Sequence, residues 1–223
     1  MSNETILLVI KFKIGGSLRF LSHAETVKVF QRACVRAGIK VQYSRGFNPR
    51  PKLSLPLPRS VAVESDDDLL CLRVNRDPSE LRSTDYESRV RTMLSSQLPE
   101  DLVLVSVTIA KANEAFRPCL ATYVLKIKPD YLNEKLRTRI KDVLASECII
   151  LKRTIYTKKT KFKDLDVRGF LKNIELDNGV IVVECRISSA GSIRVDEILK
   201  LLQLDMEKLA APVRRTNVQW QSN

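Results

Sequence analysis

The sequence predicts an α+β fold of two tandem ferredoxin-like (βαββαβ) halves. Three observations carry the prediction. Apolar runs of strand length recur along the chain, and each half also holds two amphipathic helical patterns. The order strand–helix–strand, extended segment, strand–helix–strand in the first half returns in the second. A chain of 223 residues, 44% hydrophobic and 29% charged, suffices for two cores of ordinary size. The halves are residues 1–112 and 119–223. They join at AKANEAFRPC (residues 110–119), which has no periodicity.

Thr5–Lys13 (TILLVIKFK) is apolar on both faces at its start and basic at its end, as a central strand with one solvated end would be. Gly15-Gly16-Ser17 breaks it. Ser22 followed by Glu25 forms a capping-box pattern, Val27, Phe30, Cys34 and Ala37 repeat on one helical face, and Gly38 suits the position after a helix. These signals predict a helix over residues 22–37. A short strand follows at 39–44. Arg45–Lys52 (RGFNPRPK) is excluded from any helix by Gly46, Pro49 and Pro51. Residues 53–64 read as extended, Asp66-Asp67-Asp68 as a solvated acidic turn, 69–74 as a strand, 83–98 as a helix and 101–109 as a strand.

The second half is predicted as a strand at 120–128, a helix at 130–146 and a strand at 148–156. A basic stretch follows. Two alternating runs, 170–176 and 180–187, meet at Asp177-Asn178-Gly179, a strong hairpin signal. Ser192 is read as capping a helix to about Leu204, and 213–220 closes as a strand.

The net charge of +12 is uneven. Residues 1–60 carry 11 Lys/Arg and 2 Asp/Glu, hence +9; residues 61–118 carry 7 and 11, hence −4; residues 119–223 carry 20 and 13, hence +7. This asymmetry points to a polyanion-facing side; solvated lysines are the plainer alternative. No apolar run approaches the roughly 20 residues of a membrane helix, and no signal peptide is read, so a cytoplasmic protein without membrane contact is expected. Five scattered cysteines and a single histidine give no metal-ligand spacing and suit reduced thiols. No phosphate-binding glycine loop or nucleophile motif occurs, and no cofactor is called for.

RFLSH (residues 19–23) and YSRGFNPRPKLS (residues 43–54) resemble a known bacterial family, the radical-SAM-linked domain of unknown function. The resemblance extends over most of the chain, more loosely in the second half through residues 160–170 and Arg215-Thr216. Members of that family occur fused to, or encoded beside, B12-binding radical SAM proteins, and near ribonuclease and ribosomal protein genes. The resemblance therefore implies an RNA-related setting and a radical SAM protein as partner, with no catalytic activity to carry over. The family often has histidine between the two prolines of the turn, where this chain has Arg50.

The basic turn combines Arg45, Arg50, Lys52 and Arg59 with Tyr43 and Phe47. Arginine forks hold phosphates and aromatic rings stack on unpaired bases, so single-stranded or looped RNA, transfer or ribosomal, is the expected ligand. Arg19, His23, Arg45, Asn48, Arg50 and Lys52 form the expected primary surface. The alternative is a rigid loop that packs Phe47 and the prolines against the sheet. A second strip within residues 152–172 includes Lys158, Lys159, Lys161 and Arg168 as candidate phosphate contacts; a solvated face is its alternative. The leading reading is a non-catalytic RNA-binding accessory module. A rival is an RNA-processing or RNA-modifying enzyme in which His23, next to the N-cap, acts as a neutral general base and Arg19 stabilises phosphate charge. A third is a protein-interaction domain for an acidic partner.

Overall fold

β1 (Glu4–Ile14) is central because both of its faces are apolar: Ile6, Leu8, Ile10 and Phe12 on one side, Leu7 and Val9 on the other, all buried. The computed structural model describes residues 4–76, 85–155 and 161–222. The fold is mixed α+β, with four α-helices among the described residues. The chain forms two compact units, one holding Met1–Arg117 with the chain end from Trp220, the other Pro118–Gln219.

In the first unit β1 leads through a 3-10 turn (Gly16–Phe20) to α1 (His23–Arg36), then β2 (Leu53–Ser54), β3 (Glu64–Arg76), α2 (Tyr86–Ser95) and β4 (Leu102–Ala110). The strands lie in the order β4-β1-β3-β2, and every neighbouring pair is antiparallel. One sheet face carries the main core, in which Phe12 meets Phe30 of α1 edge-on at 4.8 Å and Val90 and Leu94 of α2 are fully buried. The other face carries a smaller cluster, Leu7, Val9, Leu69 and Cys71, with Phe116 and Trp220 packed on it.

The second unit runs β5 (Phe116–Lys126, from Pro118 on), α3 (Glu134–Ala145), β6 (Ile150–Ile155), β7 (Lys161–Asp166), β8 (Leu171–Asp177), β9 (Val180–Arg186), α4 (Val195–Leu201) and β10 (Arg214–Ser222, up to Gln219). Its strands follow the order β10-β5-β9-β8, while β6 and β7 pair only with each other. The β8–β9 turn has positive φ at both Asn178 (45°) and Gly179 (80°), the geometry that Asn-Gly favours between twisted strands.

Several sequence expectations need correction. Glu64 and Asp66–Asp68 are not a solvated turn; they open β3. Asp68 is buried and accepts from the Ser65 hydroxyl, Asp67 pairs with Lys11 at 3.2 Å, and Glu64 accepts from the Gly16 amide at 3.2 Å. Glu64, Asp67 and Asp68 fit the strand because each meets a donor or a cation. β6, within the predicted run 148–156, does not join the main strand path; it pairs with β7, whose strand character the charged composition of residues 161–166 (KFKDLD) concealed. Ser192 does not cap α4. Its carbonyl accepts from Arg153, and the helix starts at Val195, where Glu197 reaches back to the Arg194 amide at 2.8 Å. Residues 39–44 make only the isolated bridges Val41–Val74 and Tyr43–Pro51.

Candidate nucleic-acid interface

The entry to α1 is built from backbone carbonyls and one buried cation. Ser22 is the N-cap: its Oγ accepts from the Glu25 amide at 3.3 Å, and Glu25 Oε2 accepts from the Ser22 amide at 2.8 Å. The Ser22 hydroxyl, which donates to Glu25 Oε2 at 2.7 Å, and the Ser22 amide hold the Glu25 carboxyl below its usual range. Arg59, expected on the basic surface, is instead buried. Its guanidinium donates to the carbonyls of Arg19 (2.8 Å), Leu21 (3.2 Å) and Val63, and so fixes the 3-10 turn against the segment before β3. The same Arg19 carbonyl also accepts from the Ala62 amide at 2.9 Å, with Ala62 at φ 67°. Arg19 itself donates to the Gly16 carbonyl at 2.6 Å and lies 4.4 Å over the Phe20 ring. His23 is the first helical residue, exposed, and its side chain makes no hydrogen bond or ion pair among the described residues.

The RGFNPRPK turn is a loop tip on a pinned base. Gln42 donates to the Arg73 carbonyl at 2.8 Å, the Arg73 amide to Lys52 at 3.0 Å, and the Lys52 amide to Gln42 at 2.7 Å, so both flanks of the loop are tied to β3. One step further out the Ser44 amide donates to the Arg50 carbonyl at 2.8 Å, and the Arg50 amide to Ser44 Oγ at 2.9 Å. Beyond that rung residues 45–50 are all exposed. Phe47 is fully exposed and Tyr43 about half so, which overturns the alternative in which Phe47 packs against the sheet. The side chains of Arg45, Asn48 and Arg50 make no hydrogen bond or ion pair with any described residue. Lys52 Nζ donates to Gln42 Oε1 at 3.0 Å. The structure thus gathers Arg45, Phe47, Asn48 and Arg50 on one tip. No hydrogen bond or ion pair joins Arg19 or His23 to them.

Part of the second basic strip is committed elsewhere. Arg168 donates to the carbonyls of Leu144 (2.7 Å) and Ser146 (2.9 Å), satisfying orphan carbonyls at the end of α3, and to that of Leu171 (2.9 Å) at the start of β8. That use of its guanidinium removes Arg168 from the candidate contacts. Arg153 makes a two-pronged pair with Glu197 at 2.6 and 2.7 Å, and Lys172 pairs with Glu184 at 3.2 Å. Lys158 and Lys159 lie outside the described residues. Lys161 opens β7, where Phe162 and Lys163 are exposed.

Sequence reasoning missed Arg73. The residue sits on β3 directly opposite Leu7 of β1, on the sheet face away from the helices. Its signal was a lone cation at an alternate position of an apolar strand, LLCLRV. Cys34 and Cys185 are sealed in the cores, where burial pushes their thiols up to about 12.

Across residues 8–200 the chain matches the family described as an uncharacterized protein conserved in bacteria (DUF2344), and it belongs to that family. No curated protein matches the sequence. Among solved structures, a chain in the crystal structure of a Cbf5-Nop10-Gar1 complex is similar over 95% of this chain, with a TM-score of 0.46 and 11% sequence identity. This chain spans 48% of that one.

Proposed function

We propose that this member of an uncharacterised bacterial family is a non-catalytic RNA-binding module whose principal contact is the loop tip of residues 45–50. One observation carries the reading: Phe47 stands fully exposed between Arg45 and Arg50, on a loop whose base is tied down by backbone hydrogen bonds. An exposed phenylalanine held this way is costly in water and useful only against an apolar face. An unpaired base supplies that face, and the flanking guanidiniums supply partners for its phosphates. A pinned loop also lowers the ordering cost of binding. Asn48 adds hydrogen-bonding capacity toward base edges. Lys52, at the loop's root, extends the cationic surface inward.

Arg19 and His23 belong to this reading as contact residues at the entry of α1. The catalytic alternative asks Arg19 and His23 to act together, whereas the Arg19 guanidinium is engaged with Gly16 and Phe20. The exposed lysines of β6–β7 are a secondary surface in the same proposal. A radical SAM protein as partner follows from the resemblance of RFLSH and YSRGFNPRPKLS. The ferredoxin-like reading of each half is supported by strand orders that run fourth-first-third-second in both units once the β6–β7 hairpin is set aside.

The test is retention of a labelled single-stranded RNA by the purified chain at several salt concentrations. Phe47→Ala should weaken binding about five- to a hundredfold, the range of one base–aromatic stack. Replacing Arg45, Arg50 and Lys52 together by alanine should weaken it further. RNA cleavage that disappears in His23→Ala would establish the enzyme instead. Binding unchanged by both loop variants would reject this surface.

A further inference from the structure

On the face of the first unit's sheet opposite α1 and α2 lies a cleft of about 390 Å³. That volume is at the low end of the roughly 300–1,000 Å³ of small-ligand clefts. It has room for one nucleotide and not for a duplex. Its floor is a row across three strands. Leu7 of β1 faces Arg73 of β3, whose amide donates to the carbonyl of Lys52, one residue before β2. The next row is Val9, Cys71 and Ser54. Phe116 and Glu114 stand on one wall.

Two features of this row need a ligand to make sense. First, Arg73 and Lys52 line the same cleft as side-by-side like charges, an arrangement that destabilises a sheet. Second, Arg73 is half-buried, yet its guanidinium has no hydrogen-bond or ion-pair partner among the described residues. The other enclosed arginines among the described residues have partners. Arg59 and Arg168 bind backbone carbonyls, Arg139 donates to Leu201 at 2.6 Å, and Arg153 pairs with Glu197. An enclosed cation left without a partner marks the place of an anion. Lys52 is already oriented for it: Gln42 Oε1 accepts from Lys52 Nζ, while Gln42 Nε2 donates to Thr5 Oγ1 at 3.4 Å.

We infer that this cleft receives one unstacked nucleotide of the RNA, its phosphate bridging Arg73 and Lys52 and its base lying against Phe116. The inference rests on the RNA-binding reading above and deepens it, since Lys52 is both the root of the exposed loop and a wall of the cleft. A strand held at the tip by Phe47, Arg45 and Arg50 would feed one base inward past Lys52. Glu114, whose carboxylate makes no hydrogen bond or ion pair among the described residues, accepts from the ribose 2′-hydroxyl and favours RNA over DNA.

Trp220, the chain's only tryptophan, packs on the Leu7–Cys71 cluster and reports on the cleft by its fluorescence. The full chain is titrated with nucleoside 5′-monophosphates, with a labelled single-stranded RNA, with the matching DNA, and with an abasic sugar–phosphate strand. Arg73→Gln should weaken RNA binding roughly tenfold, the loss of one charged hydrogen-bonding partner. Phe116→Ala should weaken it about fivefold or more on normal RNA and leave abasic binding unchanged. Glu114→Gln lies in the segment between β4 and β5, where no strand is disturbed, and should narrow the RNA-over-DNA preference even if Arg73→Gln fails to fold. Mononucleotides that quench Trp220 and compete with RNA support the assignment. Mononucleotides that bind without competing assign the cleft to a free nucleotide and overturn it. RNA binding lost in the loop variants but unchanged in Arg73→Gln, Phe116→Ala and Glu114→Gln overturns the cleft and leaves the loop reading standing. RNA binding unchanged in Phe47→Ala but weakened in Arg73→Gln and Phe116→Ala rejects the loop and keeps the cleft.

Discussion

Arg59 donates to carbonyls at both ends of the connection it closes, those of Leu18, Arg19 and Leu21 before α1 and those of Ser60 and Val63 before β3. Removing a buried guanidinium leaves these acceptors unpaired in a site with little room for water. Arg59→Ala should therefore lower stability by about 2–4 kcal/mol, read as a shift in the urea midpoint. Arg59→Lys should recover only part of it, because an ammonium cannot span both groups of carbonyls. Phe47 is the opposite case, an aromatic residue exposed where burial is the norm. Phe47→Ala should leave the unfolding free energy within about 0.5 kcal/mol of the parent in urea denaturation while weakening RNA binding, a separation expected of a surface used for contact.

At the scale of the element, α1 depends on its cap. Ser22→Ala should cost about 1 kcal/mol. The Glu25 carboxyl is held below its usual value by the Ser22 hydroxyl and amide, so its folded pKa is the lower one. Its contribution is present above the unfolded value near 4.5 and is lost as pH falls through the folded value. A urea midpoint that drops between pH 5 and pH 2 less steeply in Glu25→Gln than in the parent would verify this. The hairpin β6–β7 is an element of another kind, outside the main strand path. Within its unit Arg153 ties it to α4 through Glu197 and the Ser192 carbonyl. Burial works to raise the Glu197 pKa, but the Arg153 hydrogen bonds and the Arg194 amide outweigh it and hold the carboxyl low. Arg153→Ala strands that carboxylate and should cost about 3 kcal/mol, with faster amide exchange across residues 150–155 and 161–166.

At the scale of the whole molecule, the excess of +12 makes weak attraction to any polyanion unavoidable. Specific and diffuse binding separate by salt. Each phosphate neutralised on a single strand adds about −0.7 to the slope of log affinity against log salt. Replacing Arg45, Arg50 and Lys52 should reduce that slope by about 2, while replacing Lys135, Arg137 and Lys141 of α3 should change it little. Equal effects from the two sets would mean that charge alone binds RNA. Among the described residues no helix is long and apolar enough to cross a membrane.

Local chemistry was enough to place α1 within a residue at each end, because the Ser22–Glu25 box and Gly38 act over three or four residues. It was enough for the Asn178-Gly179 hairpin for the same reason. It also marked Arg45–Lys52 as an irregular basic turn. It could not decide which arginines of that region face water, since that depends on what lies across the fold. Arg59 is turned inward by carbonyls up to 41 residues away, whereas the Arg45 and Arg50 side chains make no hydrogen bond or ion pair among the described residues. Composition hid β7, because strand pairing with β6 stabilises a run that is mostly charged. Arg73 became a candidate only when β1 and the segment at Lys52 came to lie beside it. The basic and aromatic residue types of the proposed contact are written along the chain; the cleft proposed for a nucleotide is made by strands that meet only in the folded sheet.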